Sequence, residues 1–287
     1  MTVEPIEPHG FCRGVAQALR LAESALASAP AFCLHPLVHN GSVADALAAK
    51  GMRTVASLAD VPAGETLVVS AHGIHPSLRA EALRMGLKIV DATCPFVARM
   101  HRQACGFARR GVPVVVVGHA GHVEVQGVVG AVEASGGTVR VVCSAGEVAA
   151  LPFSTSSPVG VLCQTTFDAE SAAAVLSALS ARYPSLEKSP ASDICTATRD
   201  RQEAVRRFVR SGGDGVLVLG SAASSNTCRL LEVARSAGAR FAVRVEDVKE
   251  VATLDLSGVT RLGVTAGAST PESIVKAVMG SIATRTA

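Results

Sequence analysis

The sequence predicts an α/β protein built from three small units, each with a mainly parallel sheet. Three observations point there. Strand-like apolar runs alternate with Ala-rich segments whose apolar residues recur three and four apart, a βαβα pattern that right-handed crossovers turn into parallel sheets. Hydrophobic residues make up 48% of the 287 positions, with no Trp and one Tyr. Much of that share is Ala and Val, and such a core suits helices packed closely on parallel strands. Finally, Pro95-Phe96 and the stretch Ser185–Asp193 read as joints, dividing the chain into 1–96, 97–191 and 192–287.

The strands expected in order are Ala31–Val38, Thr66–Ser70, Leu87–Val90, Pro113–Val117, Val139–Cys143, Val159–Cys163, Gly215–Leu219, Arg240–Val245 and Arg261–Val264. Each is a short apolar run closed by turn residues. Helical spacing marks Ala16–Ala27, Val97–Arg110, Glu170–Tyr183, Arg201–Ser211, Thr227–Gly238 and Pro271–Ile282. Most strands run into small or polar residues at their C-terminal ends, among them Ala71-His72-Gly73, Asp91-Ala92-Thr93-Cys94, Gly118–Glu124, Gln164-Thr165-Thr166, Gly220–Asn226 and Thr265–Ser269. Open α/β sheets hold their ligands at that edge.

Net charge is only +3, without basic runs or aromatic clusters, which argues against nucleic acid as a partner. The first residues, MTVEPIEPHGFCRG, carry acids and prolines and lack an apolar signal core. No run approaches the roughly 20 apolar residues of a membrane span. The expectation is a cytoplasmic protein, where eight cysteines are not a disulfide framework.

Cys33, Cys105, Cys143 and Cys163 lie in or beside apolar runs and read as small buried hydrophobes. Cys12, Cys94 and Cys195 sit instead among Gly, Thr, Asp and Arg. No C-x-x-C pair is present, so spacing alone leaves metal ligation open. Three thiolates would leave a zinc site short of one ligand but would give an iron–sulfur cluster an open position. All eight histidines lie at or before residue 122, and His39, His72 and His122 each follow a strand-like run, a setting for anion binding or proton transfer. His35, His75 and His101 have no such setting and read as structural. Ser224-Ser225-Asn226 precedes a helix, where such residues serve as an N-cap or a phosphate cradle. The small-residue loop ending in Ser269 can approach an anion. Neither a P-loop nor a dinucleotide glycine fingerprint is present. Glu124, close to His119 and His122 in a glycine-containing turn, is a candidate proton donor; the same trio is a weaker candidate for zinc.

Taken in order, GFCRGV, LVHN, SAHG, DATCP, GHAGHVEV, QTT, CTATRDRQ, GSAASSN and GVTAGAS span nearly the whole chain. With them the sequence resembles the IspH (LytB) family of 4-hydroxy-3-methylbut-2-enyl diphosphate reductases. The resemblance implies three α/β domains arranged pseudo-symmetrically around a central [4Fe–4S] cluster held by Cys12, Cys94 and Cys195, one iron lacking a protein ligand. It implies that His39, His72, His122, Ser224, Ser225, Asn226 and Ser269 hold a diphosphate. Thr165 would position the allylic hydroxyl, and Glu124 would deliver protons. Gln164, Thr166 and Thr198 would support them. The implied activity is an iron–sulfur oxidoreductase forming isopentenyl and dimethylallyl diphosphate at the end of the non-mevalonate pathway, with a ferredoxin or flavodoxin-type electron donor.

Departures from the family pattern are few: Val123 where many relatives have proline, Thr196 after the third cysteine, and Cys228 beside the expected phosphate loop. They leave room for a paralogue reducing another allylic diphosphate. A non-catalytic iron–sulfur sensor on the same fold is a second alternative, although a sensor needs neither Glu124 nor Thr165. A zinc hydrolase using His119, His122 and Glu124 is a third.

Overall fold

A computed structural model describes residues 1–189 and 193–286. The chain begins with β1 (Thr2–Pro5), α1 (Arg13–Leu26), β2 (Ala31–Cys33), α2 (Gly41–Ala49), β3 (Met52–Thr54), β4 (Thr66–Val69), α3 (Pro76–Arg84) and β5 (Lys88–Asp91). It continues through α4 (Pro95–Arg109), β6 (Val114–Val117), α5 (Val123–Ala134), β7 (Val139–Val142), β8 (Val159–Cys163), α6 (Ala169–Arg182) and β9 (Leu186–Lys188). The last third holds α7 (Thr196–Arg210), β10 (Gly215–Leu219), α8 (Ser225–Ser236), β11 (Phe241–Val245), α9 (Val248–Ala252), β12 (Arg261–Ala266) and α10 (Glu272–Thr286).

Among the described residues the strands form three four-stranded sheets, ordered β3-β2-β4-β5, β7-β6-β8-β9 and β1-β12-β10-β11. Every pairing is parallel. The central strands β6, β8 and β10 are buried at every position, which is why they read as unbroken apolar runs. Along β6 the two faces feed different cores. Val115 and Val117 pack with Leu179 and Tyr183, whereas Val114 and Val116 pack with Met100, Phe107 and Val132.

The chain folds as two compact units. One comprises Met1–Ala16, Val38–Asp45 and Thr196–Ala287 and holds the sheet of β1, β12, β10 and β11. The other comprises Gln17–Leu37 and Ala46–Cys195 and holds the remaining two sheets. Two of the sheets share one connectivity: by order of appearance, β3-β2-β4-β5 and β7-β6-β8-β9 each run second-first-third-fourth. The last sheet reads β11-β10-β12-β1, with the chain's first strand in the fourth place.

Several expectations are corrected. The run Ala31–Val38 is a strand only to Cys33; Pro36, with no N–H for a ladder, lies beyond it. The strands β1, β3 and β9 are additional, and β1 carries the first residues into the sheet of the last third rather than that of 1–96. Pro95, read as part of a joint, opens α4, as its fixed φ and missing N–H favour at a first helical position. Residues 191 and 192, at the second expected joint, lie outside the described residues.

Candidate active site

The larger unit carries an acid in an unusual setting. Glu124 is the second residue of α5, not part of a turn, and is 1% exposed. The N–H of Thr165 donates to its Oε1 at 2.6 Å and the Thr165 hydroxyl to its Oε2 at 2.8 Å. Burial nevertheless dominates and lifts the carboxyl to a pKa of about 7; nearby Asp193 pushes the same way, while the two Thr165 bonds oppose the rise. Thr165 lies two residues past β8, and its carbonyl accepts from the N–H of Cys195 at 3.1 Å. One residue thus ties the acid to a cysteine.

His122 caps α5, its Nδ1 accepting from the Glu124 N–H at 3.2 Å. With Nδ1 an acceptor, the proton of the neutral ring sits on Nε2. The His72 and His122 rings meet edge-on, centroids 6.0 Å apart at 87°. His72 lies in the turn closed by the Gly73 N–H on the Ser70 carbonyl at 3.0 Å. Buried Gln164 accepts from the His119 N–H at 3.0 Å and donates to Thr166 at 2.9 Å, bracing the loop before α5 against the loop after β8.

The smaller unit gathers the hydroxyl and amide residues. Ser224 caps α8 by accepting from the Thr227 N–H, so the ordinary cap reading holds for it. Buried Asn226 is shared: its Nδ2 donates to Thr198 Oγ1 at 3.3 Å and its Oδ1 accepts from the Ala268 N–H at 3.1 Å. Ser269 donates to the His39 carbonyl at 3.1 Å. Expected residues His39, Ser224, Asn226 and Ser269 are therefore linked through the loops after β10 and β12, and Ser225 begins α8 beside them.

The three singled-out cysteines occupy one topological position. Cys12, Cys94 and Cys195 each follow the fourth strand of a sheet and immediately precede a helix, α1, α4 and α7 respectively. The Val15 N–H points at Cys12 Sγ at 3.4 Å, and Cys94 is the cap residue of α4. None of the three helices has an acid in its first turn. A helix start presents backbone N–H groups and the positive end of the helix dipole.

Comparison with known proteins decides the family. The sequence model described as "LytB protein" matches residues 3–283. The chain belongs to the LytB family. This LytB chain is 40% identical to the 4-hydroxy-3-methylbut-2-enyl diphosphate reductase of Shewanella pealeana over 99% of its own length and 92% of the relative's. It is 39% identical to the 4-hydroxy-3-methylbut-2-enyl diphosphate reductase 2 of Burkholderia mallei, covering 96% of this chain and 84% of that one. Among solved structures it is similar to the E-1-hydroxy-2-methyl-but-2-enyl-4-diphosphate reductase of Plasmodium falciparum, with a TM-score of 0.91 and 31% identity over 97% of this chain and 86% of that chain. It is also similar to a structure of (E)-4-hydroxy-3-methyl-but-2-enyl diphosphate reductase, the terminal enzyme of the non-mevalonate pathway, with a TM-score of 0.69 and 29% identity over 99% of each chain.

The donor set fits the [4Fe–4S] cluster that the LytB resemblance implies: three partly exposed cysteines outside any disulfide, one after each sheet, each at a positive helix end. Among the described residues no three His, Cys, Asp or Glu groups are set to hold a metal ion, and the zinc trio fails for visible reasons. Glu124 is engaged by Thr165, His122 by the cap, and the His119 ring lies against Phe167 with centroids 5.3 Å apart. A cluster places its cysteines on different irons and does not need them to converge on one ion. Of the four cysteines read as buried, Cys33 and Cys163 are buried and Cys105 partly so. Cys143 is exposed because Glu147, four residues on, accepts from its thiol at 2.9 Å.

Two LytB-chain residues were not singled out from sequence. Arg201, 3% exposed, donates to the carbonyl of Gly10, two residues before Cys12, at 2.7 Å, and to that of Ala197, two after Cys195, at 2.9 Å. Asp193 accepts from the Cys163 N–H at 3.0 Å and anchors the approach to Cys195; burial raises its pKa. Asp193 does stand in the polar run before Cys195, a signal that was available.

Proposed function

We propose that this protein reduces 4-hydroxy-3-methylbut-2-enyl diphosphate to isopentenyl and dimethylallyl diphosphate with two electrons and two protons, one proton leaving with the allylic hydroxyl as water and the other ending on the allyl carbon. The observation that carries the reading is the buried Glu124–Thr165 pair, an acid poised near neutrality and connected through Thr165 to Cys195. A non-catalytic iron–sulfur sensor has no use for such an acid.

Cys12, Cys94 and Cys195 would hold the cluster, leaving one iron without a protein ligand. When bound, the cluster supplies electrons and a Lewis-acidic iron to the substrate's hydroxyl end. The chain's own residues do the rest. His39, His72, His122, Ser224, Ser225, Asn226 and Ser269 grip the diphosphate with imidazoles and neutral donors, which orients the carbon chain. At pH 7 a substantial fraction of Glu124 holds its proton. When Glu124 is protonated, its O–H donates to Thr165 and the Thr165 hydroxyl turns outward to donate to the departing oxygen. The Thr165 hydroxyl thereby passes the proton without exposing Glu124 to water, and positions the allylic oxygen as it does so.

The electron donor is proposed to be a ferredoxin or flavodoxin-type protein. A cytoplasmic location suits eight cysteines outside any disulfide. Among the described residues no helix is long and apolar enough to cross a membrane. The division into 1–96, 97–191 and 192–287 is proposed with an amendment: Met1–Ala16, whose β1 pairs with β12, and Val38–Asp45 go with the last piece.

Substrate-dependent reoxidation of a reduced viologen by the anaerobic, cluster-loaded protein tests this function. Protein with full iron and sulfide that leaves the viologen reduced in the presence of this substrate contradicts it, and reoxidation by a different allylic diphosphate would identify a paralogue.

A further inference from the structure

His101 lies in α4, two turns after Cys94, and the reaction outlined above makes no use of it. Its surroundings are nonetheless shaped to its ring. A methyl group added to Gly73 would stand 3.2 Å from His101 Cε1, and one added to Gly127 would stand 3.0 Å from both Cε1 and Nε2. The outer edge of the imidazole is therefore wedged between two backbones. Gly73 directly follows His72, in a turn whose φ of +83° only glycine adopts readily. Gly127 lies one turn along α5 from Glu124.

A crevice of about 80 Å³ opens beside this wedge, lined by Ser70, Gly73, His75, Val123, Gln126 and Gly127 among others. His75 meets α5 at a separate point, where a methyl group added to Gly130 would stand 2.0 Å from its ring. Nε2 of His101 is buried without a hydrogen-bond partner, so this edge of the ring meets its neighbours by contact alone. Burial holds its pKa below the usual imidazole value; nearby His75 acts the same way, and Asp91, which is bonded to Arg79 and Thr93, opposes both.

We propose that His101 is a positioning residue, a spacer that fixes the His72 turn against the Glu124 end of α5. The inference rests on the function proposed above for those two residues. A shift of about 1 Å between a substrate-binding group and a proton donor is enough to cost on the order of a hundredfold in rate.

The decisive variant is Gly127→Ala in the cluster-loaded protein. Alanine's helix propensity offsets part of the strain of that 3.0 Å contact, and a merely structural contact would leave turnover unchanged. The spacer role predicts unchanged iron and sulfide and turnover at least tenfold lower. His101→Ala should lose turnover and raise KM, and should speed amide exchange in the Ser70–Gly73 turn. Adding Gly127→Ala to it refills the gap and should restore both readouts in part. His101→Met reaches as far as the ring without titrating, and should stay within about threefold of wild type. Wild-type kcat and KM in Gly127→Ala overturn the proposal, as does a Met variant as impaired as the Ala variant. If wild-type protein fails to turn over the substrate, the function is refuted instead. The exchange rates in the Ser70–Gly73 turn then still decide the spacer.

Discussion

Replacing Glu124 by Gln should make the protein more stable and nearly inactive at once. The ordinary glutamate value of 4.5 rises to about 7 in the folded chain, a shift of about 2.5 that corresponds to roughly 3 kcal/mol. A carboxyl whose folded pKa lies above its unfolded one costs stability when it ionises. Between pH 4.5 and 7 the native state keeps a proton that the unfolded chain has released, so stability falls across that window and the full penalty stands above pH 7. Glutamine carries no such penalty, though its amide bonds Thr165 less well, by about 1 kcal/mol. Denaturant unfolding should therefore show Glu124→Gln about 2 kcal/mol more stable than wild type at pH 8, an advantage that shrinks by about 2–3 kcal/mol on going to pH 5. Turnover at pH 7 should drop by about 10²–10⁴, the usual worth of a positioned acid, while substrate still binds. A variant with wild-type turnover, or with the same stability difference at both pH values, would refute the reasoning.

Thr165→Val removes one of the bonds that hold the Glu124 carboxyl down, so the alkaline limb of the remaining activity should move to higher pH and turnover should fall about a hundredfold; an unmoved limb in a pH–rate profile counts against the pair. Arg201→Met leaves the Gly10 and Ala197 carbonyls without their charged donor, which should cost roughly 3 kcal/mol in unfolding experiments and lower iron per chain, because the Cys12 loop loses its tie. Gly267→Ala would place a methyl 2.0 Å from Thr227 Oγ1, costing about 1–3 kcal/mol by thermal unfolding, and Thr227→Ala in the same chain should recover most of it.

Legibility from the sequence followed burial. The central strands β6, β8 and β10 are covered on both faces and show as apolar runs, whereas β1, β3 and β9 are three or four residues long, include exposed positions and pair with a single neighbour. No periodicity can reveal them. The polar settings of Cys12, Cys94 and Cys195 were plain, but their place at helix starts was not, since a thiol is not a usual cap and those first turns lack acids. Glu124 was visible as a candidate and its burial was not, because that depends on β8 delivering Thr165 from 41 positions away. His101 and Arg201 were silent for the same reason. Their partners are Gly73 and Gly127 in one case and a carbonyl 191 positions distant in the other.

The claim on which the rest depends is that one cysteine after each sheet holds a shared cluster, and the most direct measurement is iron and acid-labile sulfide per chain in anaerobically prepared cysteine variants. Wild-type protein should carry about four of each. Cys12→Ser, Cys94→Ser and Cys195→Ser should each lose most of both, while Cys105→Ser, whose thiol donates to the Ala131 carbonyl, should match wild type. Full iron and sulfide in any of the first three, or their loss in the fourth, would contradict the account.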